Sequence, residues 1–290
     1  MLLVVLRGVR KISCKKMLKK LLISKAINDF YNKSSEEDRL SIGLGPLEFE
    51  RNKTLIQKFL PERVCKIVDI GGGTGKYSEW LSKMGHKVYM IEPVKKHVNL
   101  ALKRSEGLKN KFKVIHGEAK NLDLPDNYAD ITILHGPLYH LQEKADRLKA
   151  ISEAKRITKP GGTILGYAIN YTASTIVALL QGVIHDEKIL NMCHSELTTG
   201  IHHAPENMPG ILTEAYYHKP KELQAEFEEV KLYNIQLFSV EGIIWLDKNF
   251  YSSRSDLKKY NNLLEINKIT ENDTNLIAFS PHMMIAAIKL

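Results

Sequence analysis

Short apolar runs and helix-like segments follow one another along most of the chain. The runs rich in Ile, Val and Leu lie at 66–68, 88–91, 112–115, 129–134 and 163–169. Segments with apolar residues at helical spacing stand between them, for example residues 142–158. Short apolar runs that alternate with helices of this length are typical of βαβ units. The pattern therefore predicts an α/β fold built on a parallel sheet.

The first predicted strand leads into a glycine-rich turn. One acid, Asp69, closes the apolar run, and glycines follow at Gly71, Gly73 and Gly75 before a helix-like segment starts at Lys76. Glycine takes positive φ without a Cβ clash and lets a ligand approach the backbone closely. The helix start adds free N–H groups and a partial positive charge. A strand, a glycine turn and a helix in this order favour binding of the polar part of a nucleoside cofactor.

The glycine spacing separates three kinds of cofactor loop. The dinucleotide fingerprint G-x-G-x-x-G needs a glycine where this chain has Lys76, and the P-loop needs a glycine and a hydroxyl where it has Ile70 and Tyr77. What remains is D-x-G-x-G-x-G over 69–75. This motif resembles the first motif of class I S-adenosylmethionine-dependent methyltransferases. A tight strand–helix turn without a ligand is the alternative.

Further landmarks extend this resemblance. The second apolar run ends in Glu92, about 20 residues after the first glycine, where a carboxylate can accept both ribose hydroxyls of a nucleoside. The resemblance places Glu118 beside the adenine amino group, and Ala119 lends a backbone contact there. A Pro-Gly-Gly turn at 160–162 precedes the fifth strand, as in this class. The resemblance is strong over about 31–170 and looser over 216–290.

The resemblance implies a particular fold and domain organisation. We expect a Rossmann-like, doubly wound sheet of seven strands with the last strand antiparallel. Residues 1–60 would form an N-terminal extension and a helical cover, and residues 61–290 the methyltransferase domain. Helical spacing predicts helices over about 47–60, 172–180, 187–197 and, with a polar composition, 250–270. Residues 199–210 are predicted to form a loop, and residues 170–218 as a whole lack clean strand alternation. Because ligands bind beyond the carboxyl ends of the strands, we expect this segment to form a lid over the crevice.

Candidate catalytic groups follow the fourth strand. The class places a Tyr-His pair at this point, which gives Tyr139 and His140 as catalytic candidates and puts His135 beside the cofactor. His140 could act as a base, because imidazole titrates near neutral pH; it could also merely bond its own helix backbone. Tyr31 would close over the methionine end of the cofactor, or else pack in the core with Phe30.

The lid is rich in rings but does not have metal-ligand spacing. Its histidines are His185, His194, His202, His203 and His218. No E-x-x-H or H-x-x-x-H pattern occurs among them, and no C-x-x-C occurs in the chain, so we predict no metal site. Imidazole and aromatic rings are better suited to line a pocket for a small organic acceptor.

The charge distribution bears on the class of substrate. The formal net charge is +9, but residues 1–28 hold eight basic residues and no acid, which leaves +1 for the rest. A near-neutral body argues against a grip on nucleic acid. We therefore expect S-adenosylmethionine-dependent methyl transfer to a small organic acceptor. The alternatives are methylation of RNA or protein, and a non-catalytic protein that binds S-adenosylmethionine.

The N-terminal region and the cysteines inform localisation. Apolar positions recur at helical spacing over 13–30 with lysines between them, which predicts a packed surface helix that could also touch an anionic membrane weakly. Met17 is a second plausible start, so residues 1–16 could be dispensable. No apolar run is long enough to span a bilayer. Three cysteines without a pairing pattern fit a reducing cytoplasm. The oligomeric state stays open.

Overall fold

The computed structural model describes residues 22–206, 208 and 211–290. Within these described residues, nine strands form the sheet, and they are β1 Lys66–Ile70, β2 Lys87–Glu92, β3 Lys113–His116, β4 Ala129–Leu134, β5 Thr158–Asn170, β6 Ile201–His203, β7 Glu214–His218, β8 Tyr233–Ser239 and β9 His282–Ile288. Seven of them run in the order β3-β2-β1-β4-β5-β9-β8, and β9 is antiparallel to both of its neighbours. The predicted Rossmann-like sheet with an antiparallel last strand is confirmed, and β6 and β7 add two strands to the seven that were predicted.

Helices cover both faces of this sheet. They are α1 Lys25–Lys33, α2 Glu36–Arg39, α3 Gly45–Gln57, α4 Lys76–Lys83, α5 Lys95–Glu106, α6 Pro137–His140, α7 Lys144–Ile157, α8 Ala173–Leu180, α9 Glu187–Thr199, α10 Pro220–Glu229, α11 Phe250–Ser255 and α12 Leu257–Thr270. Two buried clusters hold the layers together, one around Phe227 and Leu138, the other around Tyr77 and Met90. The central strands β1 and β4 are almost entirely buried, as expected for strands with helices on both sides.

The N-terminal helices lie over the carboxyl edge of the sheet. The helix predicted over 13–30 falls partly outside the described residues, and α1 begins only at Lys25, with Ser24 as its N-cap. Helix α3 begins at Gly45, two residues before the predicted start at Leu47. Among the residues that the structure describes, no helix is both long and apolar enough to cross a membrane.

The insertion after β5 contains more regular structure than its sequence predicts. Helices α8 and α9 lie within two residues of their predicted bounds, but part of the predicted loop over 199–210 is the short strand β6. Strand β6 pairs antiparallel with β7, and β7 continues the sheet beside the end of β5. The polar and aromatic residues of β6 and β7 give no regular alternation of apolar and polar positions. Whether such short segments form strands depends on tertiary pairing more than on intrinsic propensity.

The polar helix predicted over 250–270 is split in two. Asp256 ends α11, and its side chain accepts hydrogen bonds from the N–H groups of Lys258 and Lys259 at the start of α12. An aspartate at an N-cap satisfies free donors of the first turn. The break therefore has a local cause that the apolar spacing did not reveal.

Candidate active site

A cavity of about 680 Å³ opens where the carboxyl ends of β1, β2 and β4 meet the N-terminal helices. The residues predicted from the sequence that line it are Tyr31, Gly71, Gly73, Glu92, Glu118, Ala119, His135, Tyr139 and His140. Asp69 and Gly75, which were also predicted to contact the cofactor, do not line it. The insertion contributes Leu212 and Glu214 to the wall. The insertion thus borders this cavity, and its role as a lid stays a prediction.

The glycines of the loop have different roles. Gly71 has φ +75°, and a Cβ there would lie 2.9 Å from Cδ of Pro137. Gly73 has φ +57°, and a Cβ there would meet nothing within 4 Å, because this part of the loop borders open space. Gly75, at φ +85°, faces the ring of Phe112 instead. The loop therefore presents bare backbone to the cavity at Gly73, and packs tightly at the other two positions.

Asp69 lies beneath the loop rather than in the cavity. It is fully buried, and its two oxygens accept hydrogen bonds from Oγ of Ser78 at 2.6 Å and from Nδ1 of His135 at 2.8 Å. Ser78 belongs to α4, so the carboxylate ties the end of β1 to the following helix. The structure gives Asp69 a positioning role for His135 and the loop.

Glu92 closes β2 at the cavity wall. Its Oε2 accepts the N–H of Gly73 at 3.0 Å, and its Oε1 accepts the N–H of Val94 at 2.9 Å. The side chain is 5% exposed, and Nδ1 of His97 stands 3.4 Å from Oε1. Because a carboxylate has about four acceptor positions, these contacts fix its orientation and leave capacity for a ligand.

Tyr31 and His140 meet across the cavity. The Tyr31 hydroxyl and Nε2 of His140 are 2.7 Å apart, and the Tyr31 ring also packs edge-on against His97. Burial, and to a smaller extent His97, lowers the pKa of His140 to about 3. His140 is therefore neutral at ordinary pH, and it is a weak proton acceptor. Burial also raises the pKa of Tyr31 well above its ordinary value.

His135 stands in a stack of three rings. Its ring lies between those of Tyr77 and Tyr167, with centroid distances of 4.3 and 4.7 Å. Nδ1 donates to Asp69, so in the neutral ring Nε2 carries the lone pair. The orientation of this imidazole is thus fixed on both faces and at one edge.

Four residues, Arg39, Glu48, Glu241 and His282, form a charged wall at the cavity. Arg39 donates two hydrogen bonds to Glu48, at 2.6 and 3.1 Å, and Glu48 also lines the cavity. Nearby, Nδ1 of His282 donates to Oε1 of Glu241 at 2.6 Å. Burial alone would lower the pKa of His282, but the carboxylates of Glu241 and Glu48 outweigh it and raise that pKa to about 9.

The sequence did not reveal this charged wall. Arg39 and Glu48 stand in the N-terminal helices, while Glu241 follows β8 and His282 opens β9. The only sequence signal for this wall was the polar His282 at the start of an apolar strand. No spacing rule relates Arg39 and Glu48 to residues more than 190 positions later in the chain. The fold brings Glu241 and His282 together because β8 and β9 are antiparallel neighbours, and α3 packs at the same place, since Arg51 donates to the carbonyl of Val240.

Three donors of this wall are close enough to raise the question of a metal. The ligand atoms of Glu48, Glu241 and His282 all lie within 4.8 Å of one another. In the structure, however, a hydrogen bond from His282 occupies Glu241, and Arg39 occupies Glu48. The expectation of no metal site stays a prediction, and these residues form a hydrogen-bonded cluster.

Unpartnered polar atoms concentrate around the cavity. Among the described residues, five that line it carry a buried side-chain nitrogen or oxygen without a hydrogen-bond partner, namely Asn52, His97, His135, His140 and Gln142. Such atoms are uncommon in folded proteins, and each calls for an explanation such as a missing ligand. Of the eleven such atoms in the described part of the chain, five thus lie at this cavity, which makes it the candidate functional site.

Two other histidines of the lid are structural. His202 is fully buried, stacks on Tyr217, and contacts Glu196 through Nδ1 at 2.6 Å and the carbonyl of Leu212 through Nε2 at 2.7 Å. His218 lies 3.4 Å from the carboxylate of Glu226, and burial lowers its pKa. Neither residue lines the cavity, so these rings hold the insertion in place.

Comparisons with known proteins agree on one family. Residues 68–166 match the family described as "Methyltransferase domain". A demethylmenaquinone methyltransferase of Staphylococcus saprophyticus is 30% identical over 144 residues, which cover 47% of this chain and 58% of that protein. A ubiquinone/menaquinone biosynthesis C-methyltransferase of Vibrio parahaemolyticus is 30% identical over 105 residues, 34% of this chain and 39% of that protein. The chain thus spans only part of the length of these relatives.

Solved structures extend the likeness of the fold to most of the chain. A protein of Thermotoga maritima, titled a SAM-dependent methyltransferase and possible histamine N-methyltransferase, has a TM-score of 0.57 at 18% identity; the match covers 91% of this chain and 99% of that one. A SAM-dependent methyltransferase of Methanosarcina mazei has a TM-score of 0.55 at 18% identity, with 81% and 97% covered. The matched sequence shows that residues 68–166 carry a methyltransferase domain, and the strand order and the glycine loop agree with the fold of S-adenosylmethionine-dependent methyltransferases.

Proposed function

We propose that the chain transfers the methyl group of S-adenosylmethionine to a small organic acceptor. The observation that carries this proposal is a cavity lined together by the glycine loop, Glu92, Tyr139 and His282. Its volume of about 680 Å³ lies in the range of pockets for small molecules. The names of the curated relatives, which act in quinone biosynthesis, also favour an organic acceptor.

The residues around the loop fit the cofactor. At Gly73 the bare backbone borders open space, and a Cβ would extend into it. Glu92 is held by two backbone N–H groups, so its remaining acceptor positions can receive ribose hydroxyls. Glu118 and Ala119 border the same cavity beyond β3, where we place the adenine. Tyr31, with His140 behind it, would cover the methionine end.

The chain's own residues position the acceptor and keep water out. The bound cofactor would supply an activated methyl group on a sulfonium. The ring stack around His135 and the apolar side chain of Ile169 form a wall that excludes water from the reacting atoms. Tyr139 lies at the same wall, and burial raises the pKa of its hydroxyl, so it stays protonated and can donate a hydrogen bond. Holding the acceptor in line is the main contribution of such a site.

The proposal is tested by combining a binding and a transfer assay. Calorimetry with S-adenosylhomocysteine should show one site, and labelled S-adenosylmethionine should pass label to a small-molecule fraction of a bacterial extract. Label in the RNA or protein fraction instead would support a macromolecular acceptor. Binding without transfer to any fraction would support a protein that only senses the cofactor.

Replacing Glu92 by alanine is expected to weaken binding of S-adenosylhomocysteine by ~1–3 kcal/mol, because the ribose hydroxyls and the N–H of Gly73 lose their acceptor. The matched control is Glu106→Ala, which removes an exposed glutamate at the end of α5. Calorimetry measures both, and urea unfolding confirms that the variants fold. Unchanged affinity in Glu92→Ala would show that this carboxylate is not the ribose ligand.

A further inference from the structure

The charged wall of the cavity contains a carboxylate–imidazole pair, Glu241 and His282. Glu241 is 1% exposed, and its Oε2 accepts hydrogen bonds from Oγ of Ser280 at 2.8 Å and from the backbone N–H of His282 at 3.0 Å. Its Oε1 accepts Nδ1–H of the His282 ring at 2.6 Å. Since every contact fixes the carboxylate, the imidazole has a defined orientation and tautomer.

The second ring nitrogen of His282 is available to a ligand. Among the described residues, no hydrogen bond involves Nε2 of His282, and the ring lines the cavity. The side chain is 29% exposed, against 9% for His135 and 2% for His97, so a molecule in the cavity reaches this ring most easily of the three. Tyr139 and Tyr167 also line the cavity.

The surroundings of His282 favour a proton on this ring. Two carboxylates face it, Glu241 behind Nδ1 and Glu48 from α3, while the guanidinium of Arg39 from α2 opposes them at longer range. Its partner on β5 is the apolar Ile169. Because negative charge stabilises an imidazolium, a proton delivered to Nε2 is held well. His140, by contrast, has Tyr31 at its Nε2, faces no carboxylate and stays a weak base.

We propose that His282, oriented by Glu241 and faced by Glu48, is the catalytic base that takes the proton of the methyl acceptor. This inference rests on the proposed function. The acceptor atom forms a bond to the methyl carbon, and the carbon–sulfur bond breaks with its electron pair left on sulfur. The proton of the acceptor atom passes to Nε2 of His282 and leaves to water once the product has gone. The acceptor therefore belongs to the class that carries a removable proton on the methylated atom, such as an amine, a hydroxyl or an acidic C–H.

The pH dependence of transfer gives the first test. With a pKa of about 9, the base is unprotonated in only a small fraction of molecules near pH 7. The rate of label transfer to the methyl-accepting extract fraction should rise about tenfold per pH unit from pH 6 and level off near pH 9. His282→Gln should transfer ~10²-fold more slowly and without this rise, yet bind S-adenosylhomocysteine as the wild type does. The control His194→Gln, an exposed histidine of α9, should match the wild type.

The outcomes separate this inference from the proposed function. Transfer that is flat in pH, or that survives in His282→Gln, would overturn the role of His282 while leaving methyl transfer intact. Absence of transfer to every fraction would overturn the proposed function itself.

A second measurement needs no turnover. In nuclear magnetic resonance of ring-labelled histidines, the signal missing in His282→Gln should titrate near pH 9 in the wild-type chain, and lower in Glu48→Gln. A midpoint at or below 6.5 would show that the carboxylates of Glu241 and Glu48 do not hold a proton on this ring, and it would contradict the pH profile expected for transfer.

Discussion

Replacing Glu226 by glutamine is expected to lower the free energy of unfolding by ~3–5 kcal/mol, one of the two largest effects that the structure predicts. Arg147 of α7 is 3% exposed, and it donates to both oxygens of Glu226 on α10 at 2.7 to 3.1 Å. Its guanidinium also lies 3.7 Å from the ring centroid of Tyr216 and donates to the carbonyls of Leu141 and Gln142. The variant would leave a buried cation without its counter-ion.

The same two helices provide the control. Lys144 of α7 and Glu229 of α10 form an exposed ion pair at 2.7 Å. Exposed pairs contribute little, so Lys144→Met should leave the urea midpoint within experimental error. If Glu226→Gln shifted the midpoint no more than Lys144→Met, Arg147 would not depend on this carboxylate.

Replacing Gly73 by valine is expected to weaken binding of S-adenosylhomocysteine about a hundredfold, or ~3 kcal/mol. Its backbone has φ +57°, and an added side chain would occupy the open space beside the loop, where we place the cofactor. The left-handed backbone also strains any residue with a Cβ, at ~1–2 kcal/mol of folding stability. Calorimetry reports the first effect and urea unfolding the second.

Gly161 supplies a matched comparison for the strain. It has φ +75°, is exposed in the turn within β5, and also has nothing within 4 Å of an added Cβ. Gly161→Val should therefore lose similar stability and keep its affinity for S-adenosylhomocysteine. Equal affinities in the two variants would mean that Gly73 does not border the cofactor.

The sequence predicted the layered core because its signals are local. Asp69, the glycines after it and the Pro-Gly-Gly turn each depend on a few neighbouring residues, and the strand order follows from the βαβ pattern. The hairpin of β6 and β7 was missed because its pairing partner is β5, thirty or more residues away. Local sequence motifs therefore predict helices and strands, but they do not predict which strands pair when tertiary contacts determine the pairing.

The candidate site likewise contains residues that the sequence predicted and residues that it did not. Glu92 and Tyr31 were placed at the cavity from strand ends and a family motif, whereas Asp69 lies below it. The pair of Glu241 and His282 was not predicted, because Glu241 follows β8, His282 opens β9, and only the antiparallel pairing of these two strands brings them together. The pKa of a buried group depends on which charged side chains the fold places beside it. The raised pKa of His282 could therefore be found only from the structure.

The central claim is that the glycine loop and Glu92 together hold the adenosyl part of the cofactor. A crystal structure of the chain with S-adenosylhomocysteine tests it most directly. We predict the ligand against the backbone of Gly71 and Gly73, with both ribose hydroxyls within hydrogen-bond distance of Glu92. A ligand bound elsewhere, with this cavity filled by the protein's own side chains, would contradict the account.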